Sequence, residues 1–151
     1  MFDGHTVMES GRCKECGARE TDGLSCYEMF GFPLGWEHND PELYALQFWL
    51  VSCYMIQHPS NFTEEGYSNL LDLFTDTYDK GWDAPQILRR NREVIKSAGK
   101  IANPVPCEER KRAQRHWPMT IEDIYLGGEE NAIRNISEWK ELIRKELRQR
   151  I

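Results

Sequence analysis

Three cysteines near the start of the chain have the residue type and the spacing of metal ligands. Cys13 and Cys16 form a CxxC pair followed by Gly17, and Cys26 is the next cysteine along the chain. Thiolates are soft ligands, and a spacing of two residues lets both sulfurs reach one tetrahedral zinc ion at about 2.3 Å. The pair therefore predicts half of a zinc site, for which Cys26 is the natural third ligand.

The fourth ligand is predicted to be His58, which directly precedes Pro59. A proline biases the residue before it away from helical geometry, so this histidine would have a fixed direction at a helix end. A buried imidazole needs a metal or a hydrogen-bonding partner, and the alternative is a core histidine bonded to Gln47 or Tyr54. The alternative candidates for the fourth ligand are His5, His38 and His116.

Each cysteine also has a plainer interpretation. Cys13 and Cys16 could be reduced thiols on a surface turn, or a redox pair, although the βαβ pattern typical of such a pair is missing. Cys26 could be a small buried core residue, as free cysteines usually are. Cys53 lies among apolar residues and is predicted to be core, while Cys107 stands alone in a loop and is predicted to be only a thiol.

The length, composition and charge of the chain favour one folded domain. The 151 residues are 40% hydrophobic and 29% charged, which is typical of a globular protein. The net charge of −6 argues against broad nucleic-acid binding, which needs a basic surface. Residues 1–12 lack the apolar core of a secretory signal and are predicted to be a flexible leader. Five cysteines, an odd number that includes a CxxC pair, indicate a reduced cytoplasmic metal binder rather than a disulfide scaffold.

The stretch of residues 40–59 is the element around which the rest is predicted to fold. Asp40 can cap the first free amides of a helix, and Pro41 lies where no amide is needed. No charge follows Glu42, so this helix would be apolar almost all round and buried at the centre of the fold. The side chains predicted to be buried in it are Phe48, Val51, Tyr54 and Met55.

Periodic apolar positions predict the other helices. One or two helical turns are expected within residues 24–32, starting near Ser25 or Cys26 and interrupted by Pro33 and Gly35. A second helix is predicted over residues 63–79. A third would begin at Asp83 and end at Gly99. The buried face predicted for this third helix comprises Ile87, Leu88, Val94, Ile95 and Ala98.

The end of the chain is predicted to hold two more helices. Thr120 and Asp123 are typical of a capping box, which would open a short helix ending at residues 127–128. Asn135 or Ser137 would cap the last helix. Its predicted inner face comprises Ile136, Trp139, Ile143 and Leu147.

The fold class that follows is all-α, a helical bundle with a small cysteine-bearing segment at residues 13–32. No alternating pattern typical of strands competes with the helices. Residues 103–118 are predicted to be an exposed connection. Its basic residues could meet phosphate or an acidic partner, but such charge runs are usually solvated loops. They are Arg110, Lys111, Arg112 and Arg115.

With these motifs in view, the chain resembles a bacterial family of unknown function. The resemblance rests on the CxxCG of residues 13–17, on Cys26, on Asp40 with the following proline, and on the YMIQHP of residues 54–59. Thr120 to Asp123 and the tryptophan of the last helix are also similar. The resemblance implies an architecture without naming a reaction. Members of that family often carry histidine where this chain has Gln47.

Two functions from different classes are therefore expected. In the first, a structural zinc ion ties the cysteine-bearing segment to the helices, and the protein is a binding or regulatory module for an unknown protein partner, as a monomer or a homodimer. In the second, the zinc keeps an open position for water, and the protein is a small hydrolase or transferase. Three cysteines favour the first, because thiolates quench the Lewis acidity that catalysis uses. No catalytic residue is predicted, since the chain contains no nucleophile motif, P-loop or dinucleotide fingerprint.

Overall fold

A computed structural model describes residues 12–98 and 117–149, with backbone only for residues 91 and 93–98. These ranges contain isolated β-bridges but no β-strand, so the predicted all-α class is confirmed. None of their helices has the length and apolar character needed to cross a membrane. The α-helices are α1 (Cys26–Trp36), α2 (Pro41–Tyr44), α3 (Gln47–Ile56), α4 (Glu64–Lys80), α5 (Ala84–Ala98), α6 (Ile121–Gly127) and α7 (Ala132–Gln149).

The described residues divide into two compact units. Residues 12–57 and 117–149 belong to the first, in which α1 packs against α6 and α3 packs against α7. Residues 58–98 belong to the second, in which α4 packs against α5. The division falls at the peptide bond between Gln57 and His58. That the whole chain is one domain stays a prediction.

Helix α1 is longer than the sequence predicted. It begins as expected, because the Ser25 hydroxyl accepts the Glu28 amide at 3.2 Å and the Glu28 carboxylate accepts the Ser25 amide at 2.9 Å. It then continues through Pro33 and Gly35 to Trp36, so the predicted interruption is wrong. A proline inside a helix removes one backbone hydrogen bond but keeps a helical φ. Pro33 is buried in a helix that packs on α6, and this packing offsets the lost bond.

The stretch of residues 40–59 forms two helices rather than one. Asp40 caps the first of them as predicted, with its carboxylate accepting the amides of Glu42 and Leu43 at 3.1 and 3.2 Å. Helix α2 lasts only four residues. The Leu46 amide then bonds to the Leu43 carbonyl at 2.9 Å, a tight three-residue bond that ends α2 before α3 begins at Gln47.

Helix α3 is not buried all round. Tyr54 is buried as predicted, whereas Phe48, Val51 and Met55 are only half-buried, so the prediction was wrong for these three. An apolar side chain is a candidate for burial, but the packing partners decide which side of the helix is covered, and α3 packs against α7. The buried residues of α3 are Leu50, Ser52, Cys53, Tyr54 and Ile56. A central position for this helix stays a prediction.

Capping signals predicted the start of the sixth helix correctly but not the start of the seventh. Helix α6 opens with the predicted capping box of Thr120 and Asp123 and ends before Gly128. Helix α7 begins at Ala132, so Asn135 and Ser137 lie inside it and neither is its N-cap, contrary to the prediction. The predicted inner face of α7 is confirmed, since all its members are buried: Ile136, Trp139, Ile143 and Leu147.

The second unit contains a pair of helices that begin where the sequence predicted. Thr63 caps α4, and Gly81 ends it at a φ of 67°. Asp83 and Gln86 exchange side-chain bonds to each other's amides at 3.0 and 2.9 Å and so begin α5. Leu88 is 55% exposed, so its predicted place on a buried face is wrong. The side chains of Val94, Ile95 and Ala98 lie outside the described residues, as does Gly99.

Several predictions concern residues that the structure does not describe. The leader up to residue 11 and residues 103–116 of the basic connection are among them. They include the basic residues and three of the candidate ligands or thiols: His5, Cys107, Arg110, Lys111, Arg112, Arg115 and His116.

Candidate metal centre

The CxxCG motif forms a tight turn. The Gly17 amide donates to the Cys13 carbonyl at 3.0 Å, and the Cys13 amide donates to the Ala18 carbonyl at 2.8 Å. Gly17 has a φ of 86°, in the left-handed region. Only glycine adopts this conformation at little cost, so the glycine lets the chain fold back directly after Cys16.

A second turn leads the chain from this motif into α1. Thr21 and Leu24 exchange backbone hydrogen bonds of 3.1 and 2.8 Å around Asp22 and Gly23. Asp22 and Gly23 have φ values of 54° and 77°, as the two central residues of a type I′ turn require. This turn brings the chain to the first residue of α1, which is Cys26. The Asp-Gly pair is a strong turn signal that the sequence interpretation missed.

Hydrogen bonds fix both turns, and the end of α3, near α6. The Arg19 amide donates to the Glu122 carboxylate at 2.9 Å, and the Tyr125 hydroxyl donates to the Asp22 carboxylate at 2.8 Å. At the other end, the Gln57 side-chain amide donates to the Met119 carbonyl at 2.8 Å. Gln57 directly precedes His58 in the chain. Helix α6 and the nearby Met119 therefore bond to chain segments close to Cys16, Cys26 and His58.

The structure brings the four predicted ligands together. The sulfurs of Cys13, Cys16 and Cys26 and an imidazole nitrogen of His58 all lie within 4.8 Å of one another. All four residues are buried. In the described part of the chain, this is the one group of three or more such side chains, and it does not include the rival His38.

The donor set fits a zinc ion. Three thiols and one imidazole are a common structural zinc combination, and tetrahedral bonds of about 2.3 Å place the sulfurs roughly 3.8 Å apart. Donor atoms within 4.8 Å of one another need to move by less than about 1 Å to reach that arrangement. Hard cations such as calcium prefer oxygen ligands, which this group does not offer. The four residues could therefore hold one metal ion.

The electrostatics of the group favour a bound cation. Contacts with the thiols of Cys13 and Cys26, followed by burial, raise the pKa of Cys16 well above its ordinary value. Three thiolates cannot coexist in a buried site without a compensating positive charge, which a divalent metal supplies. The Ala18 amide already donates to the Cys16 sulfur at 3.3 Å, a bond that stabilises the thiolate.

Tyr54 lies beside one of the sulfurs. Its hydroxyl oxygen is 3.8 Å from the Cys26 sulfur, and its ring stacks on Phe30 with centroids 4.0 Å apart. Burial, followed by the charge of Cys26, raises the pKa of Tyr54 far above its ordinary value. The phenol therefore stays protonated and can donate a hydrogen bond to a Cys26 thiolate. Such outer partners orient metal ligands and tune their basicity.

Two residues considered with the site lie outside the group. Gln47 donates from its side-chain amide to the Glu37 carboxylate at 3.1 Å. Cys53 is fully buried within α3, where burial raises its pKa, so it is a core residue as predicted. The group is therefore made of the CxxC pair, the start of α1 and the residue after α3.

A buried group of three cysteines and one histidine, held by α-helices and turns, defines the chain as a helical protein with a candidate metal centre. The chain belongs to the family of unknown function DUF5946, which matches residues 11–148. This confirms the predicted resemblance to such a family, while its bacterial origin stays a prediction. No curated protein and no solved structure matches the chain.

Proposed function

We propose that this chain is a small cytoplasmic zinc protein in which one structural zinc ion is bound by Cys13, Cys16, Cys26 and His58. The zinc joins residues 12–25 to α1 and to the end of α3. The helical surface so formed acts as a binding or regulatory module. The observation that carries the proposal is the set of four buried donor atoms within 4.8 Å of one another.

The number of donors supports a structural role rather than catalysis. Catalytic zinc keeps three protein ligands and leaves a fourth position for water or substrate. Here four side chains offer a donor, and the most exposed of them, Cys26, is only 8% exposed. Three ionised cysteines also outweigh the charge of the metal, so little Lewis acidity would be left for a substrate. The hydrolase or transferase alternative therefore receives no support from the site.

The donor types support zinc among the metals. Soft thiolates select zinc, copper(I) or iron–sulfur clusters, and imidazole suits zinc and several other transition metals. A mixed set of three sulfurs and one nitrogen with a single centre is a common structural zinc site. Zinc is also redox-inactive, which suits a site whose purpose is to hold two chain segments together.

The partner that we propose is a protein rather than a nucleic acid. A net charge of −6 opposes phosphate binding over most of the surface. The basic residues 110–115 are the one region where an exception is expected, and binding there would weaken steeply as salt is added. A protein partner would instead show a shallow salt dependence.

Metal analysis of the full chain with two matched cysteine variants tests the proposal. Purified wild-type protein should contain about one zinc per chain, as a single four-ligand site requires. Cys16→Ala should lose the zinc, whereas Cys53→Ala should keep it. Both side chains are fully buried, so the pair separates loss of a ligand from damage to the core. A folded wild-type protein without metal, or a Cys16→Ala variant with unchanged zinc content, would contradict the proposal.

A further inference from the structure

A cavity separate from the cysteine group lies in the first unit, where α1 ends and α2 and α3 begin. Its volume is about 630 Å³, which is within the range of small-molecule sites. Apolar and polar side chains share its lining, as in most such sites. They are Leu34, Glu37, His38, Pro41, Tyr44 and Gln47.

Glu37 is the cavity residue whose side chain indicates a bound ligand. The residue is only 7% exposed. Its Oε1 atom accepts a hydrogen bond from the Gln47 side-chain amide at 3.1 Å. Its Oε2 atom is buried and has no hydrogen-bond partner in the described part of the chain. Buried polar atoms are nearly always paired, so the unpaired oxygen of a residue that lines the cavity indicates a missing donor.

The surroundings of Glu37 identify the missing donor as an organic cation. No lysine or arginine lines the cavity, so the carboxylate has no permanent counter-charge there. The ring of Tyr44 is 60% exposed and offers a face that attracts cations. Leu34 and Pro41 provide apolar surface for an aliphatic chain. A metal ion fits less well, because Glu37 belongs to no group of three or more metal-binding side chains among the described residues.

The burial of Glu37 Oε2 also restricts the chemical class of the cation. Oε2 is buried, so the compact head of an ammonium fits it better than a planar guanidinium. Burial raises the pKa of Glu37, while the bond from Gln47 and the neighbouring His38 act in the opposite direction. A bound ammonium would also lower the pKa of Glu37 and so favour the ionised carboxylate.

We propose that this cavity binds a small primary aliphatic amine in its ammonium form. Rotation of the Glu37 side chain brings Oε2 to the cavity, where it accepts a hydrogen bond from the ammonium. The alkyl chain packs against Leu34 and Pro41 beside the Tyr44 ring. This site is independent of the zinc proposal, since none of its residues belongs to the cysteine group.

A titration of the full chain with butylammonium, followed by amide chemical shifts, tests the site. Saturable shifts are expected at the cavity residues. Glu37→Gln keeps the shape and the acceptor for Gln47 but removes the charge, so affinity should fall by at least about tenfold. Glu42→Gln removes an exposed carboxylate five residues away and should leave the affinity unchanged. 1-Butanol and butanoate, which match the probe in size, should bind at least about tenfold more weakly.

A second variant keeps the test decisive if Glu37→Gln does not fold. Tyr44→Leu changes an exposed side chain, so the fold should survive. Losing the aromatic face should weaken butylammonium binding about two- to fivefold without changing the binding of 1-butanol. The absence of saturable butylammonium binding, equal affinities for butylammonium and 1-butanol, or wild-type affinity in Glu37→Gln or Tyr44→Leu would each overturn the proposal.

Discussion

The cysteine segment, residues 12–25, and helix α7 are both ordered, but different interactions hold them. Helix α7 carries an apolar stripe that includes Ile136, Trp139 and Ile143, all of them buried. The cysteine segment contains no helix and only isolated β-bridges, and its turns need positive φ at Gly17 and Gly23. Burial of apolar area drives the first, whereas turn geometry and a few polar contacts shape the second.

This difference between the two regions indicates which of them depends on a bound metal for its order. A helix with its own apolar face gains order from packing, and it does so at any metal concentration. A short segment with little apolar area cannot offset the entropy of ordering its backbone, which is about 1–2 kcal/mol per residue. A zinc ion that binds only the folded segment supplies the missing free energy. The two regions should therefore respond differently to mutation, chelation and pH.

The largest effect is expected from the core of α7. Trp139→Ala removes a large, fully buried side chain and should lower the free energy of unfolding by about 3–5 kcal/mol, through lost burial and a residual cavity. Urea unfolding followed by circular dichroism measures this. Glu138→Ala, at the exposed neighbouring position, should change stability by less than about 0.5 kcal/mol. Equal effects of the two variants would show that α7 does not depend on its apolar stripe.

Metal removal should act on the cysteine segment first. A strong chelator should increase amide hydrogen exchange in residues 12–25, because their order depends on the ligand, while exchange in α7 stays slow. Hydrogen exchange read by mass spectrometry distinguishes the two regions. Simultaneous loss of protection in both would mean that the metal holds the whole first unit, and unchanged protection in the segment would mean that turns alone suffice.

The pH response should reverse when the metal is removed. In the metal-free protein, neighbouring thiols raise the pKa of Cys16 above its ordinary 9.0, so the folded state holds this proton more tightly than the unfolded state. That contribution is present below pH 9.0 and lost as pH rises further. With zinc bound, protons compete for the ligands, so stability is lost as pH falls. Urea unfolding at several pH values, with and without chelator, checks both signs, and the same slope in both forms would contradict a zinc-loaded site.

Much of the helical framework follows from local signals. The apolar stripe of α7, the capping box of Thr120 and Asp123, and the start of α1 at Ser25 each rest on residues close together in sequence. The four candidate ligands could also be named, because thiols and a fixed histidine are rare and chemically distinctive. Their proximity could not be derived, since it depends on the capped start of α6, more than sixty residues after His58.

The failures have a common physical origin in packing. Pro33 was expected to end α1, yet burial of that residue compensates for one lost hydrogen bond. Val51 and Met55 were expected in the core, yet only packing partners decide which side of α3 is covered. The orphaned oxygen of Glu37 had no sequence signal at all, because a missing partner is visible only once every neighbour is placed.

His58 connects the two kinds of order, because it follows an apolar helix and contributes to the cysteine group. If it binds zinc, His58→Ala should weaken zinc affinity by at least about tenfold, or roughly 1.4 kcal/mol, while the cysteines still hold the metal loosely. His38→Ala, an exposed histidine outside the group, should leave the affinity unchanged. Competition with a chromophoric chelator measures both. Unchanged zinc affinity together with a lower melting temperature would show that His58 is a core residue and not a zinc ligand.

The smallest effect is expected from a pair of glycines that differ in backbone conformation. Gly17 has a φ of 86°, whereas Gly31 lies inside α1, and a Cβ at either position would meet no atom within 4 Å. Gly17→Ala should therefore cost about 1 kcal/mol through backbone strain alone. Because the strain lies in the CxxCG turn, it should weaken zinc affinity about fivefold.

Gly31→Ala should instead raise the free energy of unfolding by about 0.5–1 kcal/mol, since alanine favours a helix over glycine, and it should leave zinc affinity unchanged. Thermal unfolding measures the stability of both variants, and chelator competition measures their zinc affinity. If Gly17→Ala bound zinc as tightly as the wild type, the turn would not set the geometry of the thiols. If Gly31→Ala weakened zinc binding, the stability of α1 and the metal affinity of the site would be coupled. The comparison between apolar and metal-dependent order would then fail at Cys26, which begins α1 and is also a candidate ligand.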